Sequence, residues 1–140
     1  MSDAKPAVRA PLLEWEARYE VGIAVIDGQH REMLDIANRL LAGLHAGRDH
    51  DELVETLREL VRAAEHNVAT EERLMVELGL DAAHHREEHR RMLDAVRNFH
   101  IRLEPEALAE SSRFLREWLL EHIEEDDRPF AEQLRSRGVS

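Results

Sequence analysis

The chain contains no cysteine. Disulfides, zinc–thiolate sites, iron–sulfur clusters and cysteine nucleophiles are therefore excluded together, and any metal must be held by histidine and carboxylate. Aromatic residues are scarce, with three Phe, two Trp and one Tyr in 140 residues, which leaves little of the material that strands prefer. Four prolines and six glycines leave few places to break a helix. Pro6 and Pro11 lie at the start, Gly43, Gly47, Gly79 and Pro105 in the interior, and Pro129 and Gly138 near the end. No uninterrupted apolar run approaches the roughly 18 residues of a membrane span. Positive charge is in deficit: 19 Lys and Arg against 30 Asp and Glu give a formal charge of −11. Such a chain repels phosphate backbones and anionic lipid surfaces, so neither nucleic acid nor membrane is an expected partner. The opening residues lack the apolar stretch and small-residue cleavage site of a secretory signal, and a cytoplasmic location is expected.

What is present favours a single helical core. Hydrophobic residues make up 43% and charged residues 35% of a length suited to one domain, and Ala, Leu, Glu and Arg dominate. The breakers delimit four amphipathic segments. The first starts at Asp27 as N-cap and carries His30, Leu34, Ala37, Leu41 and Leu44 on one stripe. A second runs from about Asp51 through Leu53, Leu57, Leu60, Ala64, Asn67, Glu71, Leu74 and Leu78, with Gly79 just past its end. The third runs from Asp81 through His85, His89, Met92, Val96, Phe99 and Leu103. Pro105 opens the fourth, which continues through Leu108, Ser111, Leu115, Trp118 and His122. Short connections make successive helices antiparallel neighbours. The expected fold is all-α, an up-down-up-down four-helix bundle over residues 15–134, with a flexible N-terminal arm (1–14) and a C-terminal tail (135–140).

Several residues interrupt the apolar stripes. Buried charge is costly unless it is paired or bound to metal. His30 lies at the start of the first helix, Asn67 and Glu71 late in the second, His85 and His89 at the start of the third, and His122 late in the fourth, followed by Asp127. In an up-down bundle those four places share one end, so the polar side chains converge on one level of the core. Four histidines and two carboxylates arriving by independent helical phases call for a multivalent cation. His85 and His89, four residues apart, lie about 40° apart around a helix and can reach one ion. Two carboxylates from different helices suit bridging between two ions, and imidazole with carboxylate fits iron. A dinuclear iron centre is expected. No histidine follows a Glu by three residues, which disfavours the ferritin-like Glu-x-x-His arrangement. His45, His50, His84 and His100 fall off the stripes, and the acidic runs around Glu72 and Asp126 read as solvated faces.

Four stretches in this order resemble the bacteriohemerythrins of the hemerythrin family: Trp15 to Gly22 leading into Asp27-Gly28-Gln29-His30, then Thr70-Glu71-Glu72, then His85-x-x-x-His89, then Trp118 through His122 to Asp127. The resemblance covers residues 15 to 130. It implies a four-helix bundle with two non-haem irons, bridged by carboxylates and an oxo or hydroxo group, that binds dioxygen reversibly when diferrous. Position by position, it makes His30, His85, His89 and His122 ligands and Glu71 and Asp127 bridges. One family position does not match. Where the second helix should read His-x-x-x-Glu, this chain has Asn67, with His66 one residue earlier. In a regular helix His66 points about 100° away, so it could ligate only through a π-type bulge; the alternatives are the Asn67 amide or water. Two functions follow: an oxygen-binding protein for carriage, storage or sensing, or an oxidase or peroxidase-type enzyme with fast autoxidation because one iron lacks a histidine. The first is the expectation. An inactive or single-metal scaffold is a third reading.

Overall fold

The alternation of buried and exposed residues every three to four positions dictates helices throughout. The computed structural model describes residues 12–99 and 103–140, and among them it contains helices and no strand. After a short 3-10 turn at Ala17–Tyr19, α1 spans Ala24–His45, α2 spans His50–Glu77 and α3 spans Ala83–Arg97. A 3-10 turn at Pro105–Ala107 opens the fourth rod, which continues as α4 (Leu108–Leu115), two π-helical stretches (Arg116–Glu121 and Ile123–Asp127) and α5 (Arg128–Ser136). α1 packs along α2 and α4, and α2 along α3. The core is aliphatic, with Leu40, Leu41, Leu44, Leu60, Leu115, Leu119, Ile123 and Leu134 fully buried. Met33, Met75 and Met92 fill it between them.

Helix ends depart from expectation in instructive ways. Asp27 is not an N-cap, because α1 begins at Ala24. Its buried carboxylate instead accepts hydrogen bonds from the N–H groups of Val21 (2.8 Å) and Gly22 (3.1 Å). Gly22 turns there at φ +87°, a conformation only glycine adopts readily. α3 begins at Ala83 and not Asp81, whose side chain accepts from the Ala83 N–H. Gly79 does end α2: at φ +66° it lets the Leu80 N–H reach the Met75 carbonyl, the six-to-one bond of a Schellman stop. α3, expected to run on through Phe99 to Leu103, ends at Arg97; Phe99 and Leu103 are nevertheless buried, and residues 100–102 lie outside the described residues.

Of the expected arm only residues 12–14 are described, and there Leu13 is buried and exchanges two hydrogen bonds with the Asn38 side chain, at 2.7 and 2.8 Å. Packing against α1 thus begins two residues before Trp15. At the far end α5 runs to Ser136, and the Val139 N–H donates to the Leu134 carbonyl.

The fourth rod was expected to be a plain helix. In an α-helix, residues five apart lie about 140° apart around the axis, which would turn Asp127 away from His122. The wider π winding, with its i→i+5 hydrogen bonds, turns less per residue and brings them toward one face, and His122 Nε2 lies 3.3 Å from Asp127 Oδ1. Trp118 anchors this stretch to the third helix by donating its indole N–H to the Met92 carbonyl (2.8 Å).

Candidate metal centre

Each rod brings ligand-type side chains to one level. α1 supplies His30 from its second turn, α2 supplies Glu71, α3 supplies His85 and His89 from its first turns, and the fourth rod supplies His122, between its two π stretches, and Asp127 from the second. Glu71 is 0% and Asp127 and His30 each 1% exposed. Glu71, His85, His89 and Asp127 each offer a ligand atom within 4.8 Å of the others. The histidine rings stand close, with centroids 4.3 Å apart for His85 and His89, and 6.5 and 6.2 Å from these to His122.

The carboxylate oxygens divide between two sides. On one, Glu71 Oε1 lies 3.0 Å from His85 Nε2 and 3.3 Å from His89 Nε2, while Asp127 Oδ1 lies 3.5 Å from His85 Nε2 and 3.3 Å from His122 Nε2. On the other, Glu71 Oε2 and Asp127 Oδ2 face a single imidazole, with His30 Nε2 3.7 and 3.0 Å away. Both His30 nitrogens, Glu71 Oε2 and both Asp127 oxygens are buried with no hydrogen-bond partner. The His30–Asp127 approach is close but not aligned for a hydrogen bond, as when two donors aim at a shared point and not at each other. Orphaned acceptors in a dry core are costly. Cations between them would satisfy His30 Nε2 and the carboxylate oxygens, so the residues present fit a His/carboxylate metal site.

Without a cation the cluster must balance its own charge. Burial alone would lower the His30 pKa, but Asp127 and Glu71 outweigh it and raise it to about 9. Burial likewise opposes charge on His122, and Asp127 and Asp126 together raise it to about 10. Burial pushes the Glu71 carboxyl up, and contacts with His30, His85 and His89 more than reverse that, holding it well below the ordinary carboxylate range.

Two partners of the imidazoles come from runs expected to be plain solvated faces. Asp126 Oδ2 lies 2.9 Å from His122 Nδ1, and Glu72 Oε1 lies 3.4 Å from His89 Nδ1. Each carboxylate sits on the ring nitrogen away from the cluster, the arrangement that fixes tautomer and orientation in metal-binding histidines. The signal was available in sequence, since Asp126 follows His122 by four residues.

On α2 the helix is unbroken from His50 to Glu77, so there is no bulge to turn His66 inward, and it is exposed. Asn67 is buried instead and donates its amide N–H to Gln29 Oε1 (2.9 Å), while Gln29 donates to Thr70 Oγ1 (2.8 Å). His45, His50 and His84 are exposed, and His100 lies outside the described residues. A hollow of about 220 Å³, lined by Asp81, His84, His85, Asp126, Phe130 and Gln133 among others, reaches the site at His85. A larger one, about 440 Å³, lies between α2 and the end of α3 beside Val54, Val61 and Arg97, and among the described residues no histidine or carboxylate lines it.

Comparison with known proteins agrees with this geometry. The Hemerythrin HHE cation binding domain matches residues 21–134. Similar proteins include a bacteriohemerythrin of Stenotrophomonas maltophilia, 30% identical over 89% of this chain and 83% of its own length. Those of Pseudomonas paraeruginosa and Clostridium acetobutylicum are each 29% identical. They cover 88% and 83% of this chain, and 82% and 96% of their own lengths.

Proposed function

This chain belongs to the hemerythrin family, and from that premise we propose that it binds dioxygen reversibly at a pair of non-haem irons held by His30, Glu71, His85, His89, His122 and Asp127. The observation that carries this reading is the division of the carboxylates, each with one oxygen toward two of the three imidazoles His85, His89 and His122 and the other toward His30. One carboxylate spanning two positions offsets charge on two cations at once, and the pair fixes their separation. When bound, ferrous iron supplies the electrons that dioxygen takes up and gives back.

The protein's own residues do the rest. Asp126 and Glu72 orient His122 and His89. The aliphatic core excludes bulk water from the His30 side, and the hollow beside His85 admits small molecules. Among the described residues no helix is long and apolar enough to cross a membrane, and we place the protein in the cytoplasm. One feature favours a second reading, turnover of oxygen or peroxide: Asn67 stands where a further imidazole would complete the His30 side.

Anaerobic loading with Fe2+, followed by optical spectra through repeated oxygen and vacuum cycles, separates the two. A spectrum that forms and disappears over several cycles supports the carrier. Irreversible oxidation on first exposure supports the enzyme, and no response to oxygen overturns both.

A further inference from the structure

The two sides of the cluster are unequal in donors. One side has three imidazoles with Glu71 Oε1 and Asp127 Oδ1; the other has one imidazole with Glu71 Oε2 and Asp127 Oδ2. Asn67 is the side chain on the Glu71 face of α2 that could redress this, being four residues before it. Its amide nitrogen is already committed to Gln29, whose own amide is committed to Thr70. This buried chain is internally satisfied, so it needs no cation, and it leaves Asn67 at most a neutral amide oxygen to contribute. Nitrogen-rich donor sets suit iron and later metals, whereas carboxylate and amide oxygen suit manganese.

We infer that the two positions load unequally: the three-histidine position holds iron tightly, and the His30 position holds a divalent cation loosely, exchanging Fe2+ for Mn2+. This rests on the dinuclear reading above. The Asn67–Gln29–Thr70 chain is what keeps the second position weak, since it commits the amide N–H of the one α2 side chain placed to add a further ligand.

The test is an anaerobic titration of the metal-free full chain with Fe2+ and separately with Mn2+. After desalting, metal is counted by mass spectrometry and bound Mn2+ by electron paramagnetic resonance. Two binding events should differ in affinity by about tenfold or more. One iron per chain should survive desalting, and iron-loaded protein exposed to Mn2+ should then take up one Mn2+ per chain. Asn67→His should narrow the gap and retain two irons, while His66→Ala should leave both events unchanged. Two wild-type sites of indistinguishable affinity, or refusal of Mn2+ by iron-loaded protein, would overturn the inference and leave the dinuclear reading standing. A wild-type chain that never exceeds one ion at saturating metal would sink both. The wild-type titration decides between these even if the Asn67→His circular dichroism shows a misfolded variant.

Discussion

The residues with the largest leverage on this centre include some that touch no ion. Asp126 approaches the outer nitrogen of His122 at 2.9 Å, and that contact holds its own carboxyl below the ordinary range. Replacing it by Asn keeps the shape and removes the charge that makes the imidazole a better donor. Asp126→Asn should weaken metal binding by about 10- to 100-fold while leaving the helical content intact, as competition with a chelator would measure. Unchanged affinity would show that His122 is oriented by packing alone. Glu72 has a longer contact, 3.4 Å, and a more exposed carboxylate, so the same change there should matter less.

At the scale of elements, the site depends on how helices begin and wind. His30 sits one turn beyond Asp27, which ties the preceding loop to the start of α1 through the N–H groups of Val21 and Gly22. Asp27→Ala strands the buried Val21 N–H, and an unsatisfied buried donor costs about 1–3 kcal/mol. Urea unfolding of the metal-free chain should show a loss of that order, with Asp27→Asn, which keeps one acceptor, in between. An unchanged midpoint for Asp27→Ala would mean that the loop finds another partner. The apolar stripes of α1 and α2 were legible because spacing of three and four residues is intrinsic to the helix. The π winding of Arg116–Asp127 was not, because no local residue preference announces it. It follows from the need to keep both His122 and Asp127 turned inward while Leu119, Leu120 and Ile123 remain buried.

The whole molecule must reconcile a buried charged cluster with a modest core, and pH exposes how it does so. In the metal-free protein His30 and His122 have pKa values near 9 and 10, above their ordinary 6.5. The stability they contribute is complete below about pH 6.5 and is lost as pH rises through those values, because the folded state then releases protons that the unfolded state has already lost. The loaded protein should behave in the opposite sense, since imidazole must be neutral to bind metal and acid strips the site. Metal should therefore raise the melting temperature by mass action, and the interval between loaded and metal-free melting temperatures should widen from pH 6 to pH 9. Calorimetry of both forms across that range checks this, and an interval that stays constant or shrinks would count against the cluster as the site of metal binding.

Sequence alone determined the helices, their apolar faces and the level at which His30, Glu71, His85, His89, His122 and Asp127 gather, because each follows from spacing within one segment and from short connections between segments. It also marked the mismatch at Asn67, leaving open whether His66 turned inward. Only the tertiary structure decided that α2 runs without a bulge and leaves His66 outside. It alone revealed that Asn67 is held by Gln29, which is held in turn by Thr70, and that the winding irregularity lies in the last rod. The physical reason is common to all three: they are set by partners on other helices, at sequence separations such as the 38 residues between Asn67 and Gln29, which no local pattern encodes.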